Sequence, residues 1–224
     1  MRSPEQGFTL LEVMLAVAIL GMVAAMLSIS LGGSLRTVSA VREEEEVFFL
    51  AQTAMRRISE DLGGACWFSG AVFTGENNVI GEQRADTLIL TTQAHLVVNP
   101  SVQRPGPATV RYRLEPDDED PHRLRLLRSD TPLTVVSVGQ ADEEQAPFFL
   151  LADNLRSLRF SYFDREGQES DAWDGALAAG EEGQPIGPPA AVHCILEFWL
   201  GTERDGVRTF STRVPVLVEV GDAP

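Results

Sequence analysis

Gly7-Phe8-Thr9-Leu10-Leu11-Glu12-Val13 places a carboxylate at the threshold of an apolar run that reaches Leu31. An ionised side chain at mid-bilayer depth costs about 2.5–3.5 kcal/mol on insertion scales, so Glu12 demands a partner or a purpose. The sequence offers a partner. Cleavage after Gly7 would make Phe8 the new N-terminus, with its ammonium four residues from Glu12. That spacing suits charge neutralisation along or between helices.

From Val13 to Leu31 only Gly21, Ser28 and Ser30 interrupt the apolar run, which is long enough to cross a bilayer as a helix. A cleaved secretory signal has a shorter apolar core, about 7–15 residues, and a small-residue cleavage site beyond it. Here the run is longer, opens on a glutamate and lacks such a site after the span. The leader carries Arg2 against Glu5, so the charge rule gives only slight support to a cytoplasmic N-terminus.

The helix is expected to continue past the membrane. No proline occurs between Leu35 and Leu62, and Val47, Ala51, Ala54, Met55, Ile58 and Leu62 recur at helical spacing. Arg56, Arg57, Glu60 and Asp61 are assigned to the opposite, polar face. Gly63-Gly64 is a stop signal. Continuous from Phe8 to Leu62, such a helix would measure ~80 Å. Glu43 to Glu46 reads as a solvated face between its two halves. The organisation expected is a leader at 1–7, a membrane helix at 8–33, its soluble half at 34–62 and a β-rich domain at 63–224.

After Gly64 the pattern changes to short alternating strands. These are Thr87–Thr92, Val110–Leu114, Leu133–Val138, Leu158–Tyr162, Val192–Leu200 and Val207–Val220. Turn-rich stretches at Asn99–Pro107, Pro116–His122 and Ala176–Pro189 separate them. With no amphipathic helix between strands, the sheet should be mainly antiparallel and should cover the soluble half of the helix. The fold class expected is α+β. No internal repeat is evident.

The chain has 224 residues and a net charge of −15. Loss of residues 1–7 removes one basic and one acidic residue and leaves that charge unchanged. Nucleic acid is therefore not an expected partner, because phosphate binding needs a basic stripe. Every basic residue is arginine, which excludes lysine nucleophiles and Schiff bases. Two readings of Cys66 and Cys194 remain open. A disulfide is permitted outside the cytoplasm. Alternatively both are thiols, with Cys194 buried on the face shared by Val192, Leu196 and Phe198.

Other chemistry is sparse. His95, His122 and His193 have no local partner, and no nucleophile elbow, P-loop or HExxH motif occurs. Asp117-Asp118-Glu119-Asp120 lacks the spaced ligands and turn glycine of a calcium loop, so a solvated turn is expected. Asp171 and Asp174, flanking Trp173, form a weaker candidate for calcium or a partner. Trp67, Phe68 and Trp173 could anchor an interface, whereas Trp199 is assigned to the core. Gly21, Ala24, Ala25 and Ser28 permit close helix approach in a membrane. No catalytic residue, metal site or cofactor is expected.

The Gly7–Val13 motif resembles the processing site of type IV prepilins and type II secretion pseudopilins. The resemblance implies cleavage after Gly7 by a prepilin peptidase, N-methylation of Phe8, and pairing of Glu12 with a neighbouring subunit's terminal amine. Three further segments are similar to the minor pseudopilin J family. Ala54-Met55-Arg56-Arg57-Ile58-Ser59-Glu60-Asp61-Leu62 resembles the end of its long helix. Leu150 to Asp164 resembles its late strand and turn, and Asp171-Ala172-Trp173-Asp174 the loop that follows. Pro188-Pro189-Ala190-Ala191-Val192 again precedes a last strand pair. The resemblance implies a pilin-like fold, a single-pass inner-membrane anchor with the sheet domain in the periplasm, and pseudopilins I and K as partners. Such a subunit sits at the tip of a short filament that helps export folded proteins across the outer membrane. Minor type IV pilins and competence pseudopilins share the N-terminal motif. A signal-anchored periplasmic enzyme would instead keep its leader and bring distant residues together in a pocket.

Overall fold

Fifty-four residues, Leu10–Gly63, form one α-helix, α1. The computed structural model describes residues 9–68, 70–94, 106–133, 147–175, 187–201 and 206–218, with side chains excepted at 32–37, 39 and 40. The chain divides into two compact units, Met1–Glu45 and Glu46–Pro224, and the boundary falls within the Glu43–Glu46 run. Gly7 and Phe8 lie outside the described residues.

In the first unit, Leu10–Leu31 is the one described helical stretch long and apolar enough to cross a membrane. Its 22 residues rise about 33 Å, matching a hydrocarbon core of about 30 Å. Leucine, valine, isoleucine and methionine side chains are exposed all along it. Ser28 returns its hydroxyl to the Ala24 carbonyl at 2.9 Å, which satisfies the one polar group it would carry into lipid.

In the second unit, the last turns of α1 bury Val47, Ala51, Ala54, Ile58 and Leu62, the expected apolar stripe. The helix ends at the paired glycines. A side chain at Gly64 would meet Thr92 Oγ1 at 2.9 Å, so glycine lets the helix end approach that strand.

Eleven strands follow among the described residues. They are β1 (Phe73–Glu76), β2 (Val79–Ile80), β3 (Gln83–Arg84), β4 (Thr87–Thr92), β5 (Ala108–Pro116) and β6 (Leu124–Pro132). Then come β7 (Phe148–Phe163), β8 (Glu169–Ser170), β9 (Trp173–Asp174), β10 (Ala191–Leu200) and β11 (Gly206–Pro215). The main sheet runs β11-β10-β7-β6-β5-β4-β1-β9, with β8 paired to β7 and a separate β2-β3 hairpin. Every strand pair is antiparallel.

The long strand β7 changes partner along its length. Phe148–Leu155 pairs with β6, and Leu155–Phe163 with β10. Past Leu155 the edge vacated by β6 is filled by Ala85 and Asp86. Asp86 donates its backbone N–H to the Leu158 carbonyl at 3.1 Å, and its Oδ2 accepts the Phe160 N–H at 2.9 Å. A buried carboxylate thus satisfies a backbone donor that the sheet leaves unpaired. Asn154, at φ 58°, sits where the partners change, and its Nδ2 donates to the Trp199 carbonyl at 2.9 Å.

Two expectations need correction, and one strand was not foreseen. Of the strand expected at Leu133–Val138, residues 134–138 lie outside the described residues; the strand before it, β6, ends at Pro132 and was not expected. β6 was illegible because Arg128 occupies a core-facing position and breaks the apolar alternation. β11 stops at Pro215, which lacks an N–H for the ladder, rather than running to Val220. Trp199 lies half-buried on the outer face of β10, with Arg156 over its ring at 5.3 Å. Trp173 is the core tryptophan, donating Nε1 to the Gly187 carbonyl at 2.8 Å.

Candidate functional site

Thr9 and Glu12 define the start of α1. The Glu12 N–H donates to Thr9 Oγ1 at 3.3 Å and to the Thr9 carbonyl at 3.1 Å. Thr9 is the N-cap and Glu12 the third helical residue, the spacing of a capping box. A carboxylate there meets the positive end of the helix dipole. Because the helix begins at Leu10, only Phe8 and Thr9 would precede it after cleavage at Gly7. An amine at Phe8 would then lie within about one turn of Glu12 in sequence. Glu12 is exposed, as are Leu10, Leu11 and Val13 around it, so the carboxylate is presented outward from an apolar helix.

The other polar centre lies in the second unit, where the last turns of α1 meet β5 and β6. Asp61, expected on the polar side of the helix, is fully buried. Arg128 on β6 grips it with two prongs, Nε to Oδ2 at 2.8 Å and Nη2 to Oδ1 at 3.1 Å. Tyr112 on β5 donates its hydroxyl to Asp61 Oδ2. Arg57, one turn earlier on α1, reaches Asp61 Oδ1 at 2.5 Å and also the Ala94 carbonyl. Arg128 Nη1 completes the cluster on Asp130 Oδ2 at 2.9 Å. Burial alone would weaken the Arg128 charge, but its hydrogen bonds and attraction to Asp61 hold the guanidinium above its ordinary pKa. Burial, then the neighbouring Asp61 charge, pushes the Tyr112 hydroxyl well above the ordinary tyrosine value.

The legible clue to Asp61 was its position seven residues after Ala54. Two turns on, it returns to the face that Ala54 buries.

Both cysteines are free. The disulfide alternative is not formed: Cys194 is a buried thiol on the core face of β10 and Cys66 is half-buried just after α1. Burial raises the pKa of each, most strongly at Cys194.

Asp117-Asp118-Glu119-Asp120 forms the loop between β5 and β6. Asp117 Oδ1 accepts the backbone N–H groups of Glu119 at 2.9 Å and Asp120 at 3.3 Å, while Arg125 pairs with Asp118 at 2.9 Å. Those backbone bonds hold the Asp117 carboxyl below its usual pKa. Asp171 pairs with Arg159 at 3.0 Å. His122 lies in the loop between β5 and β6 and His193 on the outer face of β10, whereas His95 lies outside the described residues.

The prokaryotic N-terminal methylation motif matches residues 2–28. The match takes in Gly7, Phe8 and Glu12. Among solved structures, a chain of the GspK-GspI-GspJ complex from the enterotoxigenic Escherichia coli Type 2 Secretion System is similar at 19% identity. The alignment covers 75% of this chain and 96% of that chain, with a TM-score of 0.44. A comparison with curated proteins found no match.

Proposed function

We propose that this chain is a minor pseudopilin J-like subunit of a type II secretion system, cleaved after Gly7 and N-methylated at Phe8. The observation that carries the reading is the methylation motif over residues 2–28, joined to an apolar helix of membrane length that opens on Glu12. Anchored in the inner membrane with its sheet domain in the periplasm, the subunit joins pseudopilins I and K at a filament tip. That choice within the superfamily rests on the resemblance of the Ala54–Leu62, Leu150–Asp164 and Asp171–Asp174 segments. The role requires no catalytic site in this chain.

The physical work falls to Glu12. In lipid its charge is costly, and in a helical bundle a terminal amine neutralises it. Assembly therefore removes a penalty that insertion alone leaves in place. The amine exists only after cleavage, so processing licenses assembly. The expected result for Glu12→Ala is normal insertion and processing with loss of pseudopilin I and K homologues from affinity-purified membrane complexes. Unchanged co-purification and secretion would contradict it. Recovery of wild-type chain with pilus subunits instead would move the assignment to a minor type IV pilin.

A further inference from the structure

Apolar patterning alone leaves the axial seat of the helix on the sheet underdetermined. Slide α1 one turn so that each residue takes the seat of the residue four positions later. Val47 then occupies the seat of Ala51, Leu50 that of Ala54, Ala54 that of Ile58 and Ile58 that of Leu62. Every one of those seats remains apolar, although the tight alanine seats resist the larger side chains. The polar seat behaves differently. Arg57 would replace Asp61 against Arg128, setting cation on cation in a buried site. Sliding the other way leaves Arg128 facing residue 65, an alanine, and takes away its partner on the helix, so that Asp130 on its own strand alone faces the charge.

We infer that the Asp61–Arg128 pair is a register pin that fixes where the last turns of α1 sit on β5 and β6. Its geometry suits that role. The two-pronged contact admits one axial position and one rotational setting of the helix, and Tyr112 occupies Asp61 from a second strand. The side chains are 6% and 0% exposed, so desolvation offsets much of their attraction, and choice of seat is what such a pair supplies. This inference concerns the fold of the second unit and stands independently of the proposed function.

The test uses the full chain in detergent micelles, labelled with nitrogen-15 at its three tryptophans. Asp61→Leu with Arg128→Met replaces the pair by apolar side chains. The expected result is a folded protein in which the Trp67 indole signal, three residues beyond the last glycine-capped turn, splits into two or more, while Trp199 keeps one. Arg57→Leu alone leaves the pair in place and should keep a single set. A single wild-type-like set in the double variant overturns the inference, as does splitting in Arg57→Leu. Unfolding of the double variant also overturns it, because the pair would then be required for stability and not for the choice of seat.

Discussion

Arg128 and Asp61 meet 67 positions apart in sequence through two parallel hydrogen bonds, 2.8 and 3.1 Å long, at the junction of helix and sheet. Removing Arg128 takes the two-pronged partner from a fully buried carboxylate and leaves Asp61 to Arg57 and Tyr112. Arg128→Ala should therefore cost at most about 3–5 kcal/mol. Arg156→Ala, which removes an exposed partner of Glu197 at 3.4 Å, should cost at most about 1 kcal/mol. Urea unfolding of the two full-length variants checks the contrast, and equal midpoints would contradict it.

The chain has two tyrosines, Tyr112 and Tyr162, both buried. Burial raises each pKa well above the ordinary value, helped by the Asp61 charge at Tyr112 and the Asp86 charge at Tyr162. The folded state thus holds these protons more tightly than the unfolded chain. Their contribution to stability is complete below about pH 10 and falls as pH rises above it toward the folded values. In an alkaline titration at 295 nm, tyrosinate absorbance should appear only with loss of the fold. Reversible ionisation of either ring near pH 10 in folded protein would contradict this.

Thiol chemistry should separate the two cysteines. In native protein, a thiol reagent should modify Cys66 slowly, because it is half-buried, and leave Cys194 untouched. In denaturant both should react without prior reduction. Titration of fewer than two thiols in denatured, unreduced protein would instead indicate a disulfide.

The helix and most of the sheet were legible because they follow simple periods. The Val47–Leu62 stripe repeats every three or four residues, and Val110–Leu114 and Val192–Phe198 alternate. What escaped were the places where a charged residue faces inward. Arg128 hid β6 by standing where alternation calls for an apolar side chain, and Asp61 passed for a surface residue because its partners come from distant strands. Asp86 was hidden for the same reason, since the backbone donor it satisfies lies 74 positions away. Close approach is likewise invisible in sequence. A side chain at Gly75 would meet Tyr162 Oη at 1.8 Å, yet nothing beside Gly75 announces it. At the N-terminus the position is reversed: Gly7, Phe8 and Glu12 are read from local sequence, and their motif is what the methylation match covers.

The central claim is that cutting after Gly7 creates the amine that Glu12 needs. Mass spectrometry of the intact chain purified from its native membrane tests it most directly. The expected N-terminus is Phe8 carrying one added methyl group. A chain that still begins at Met1 with its leader in place would contradict the account.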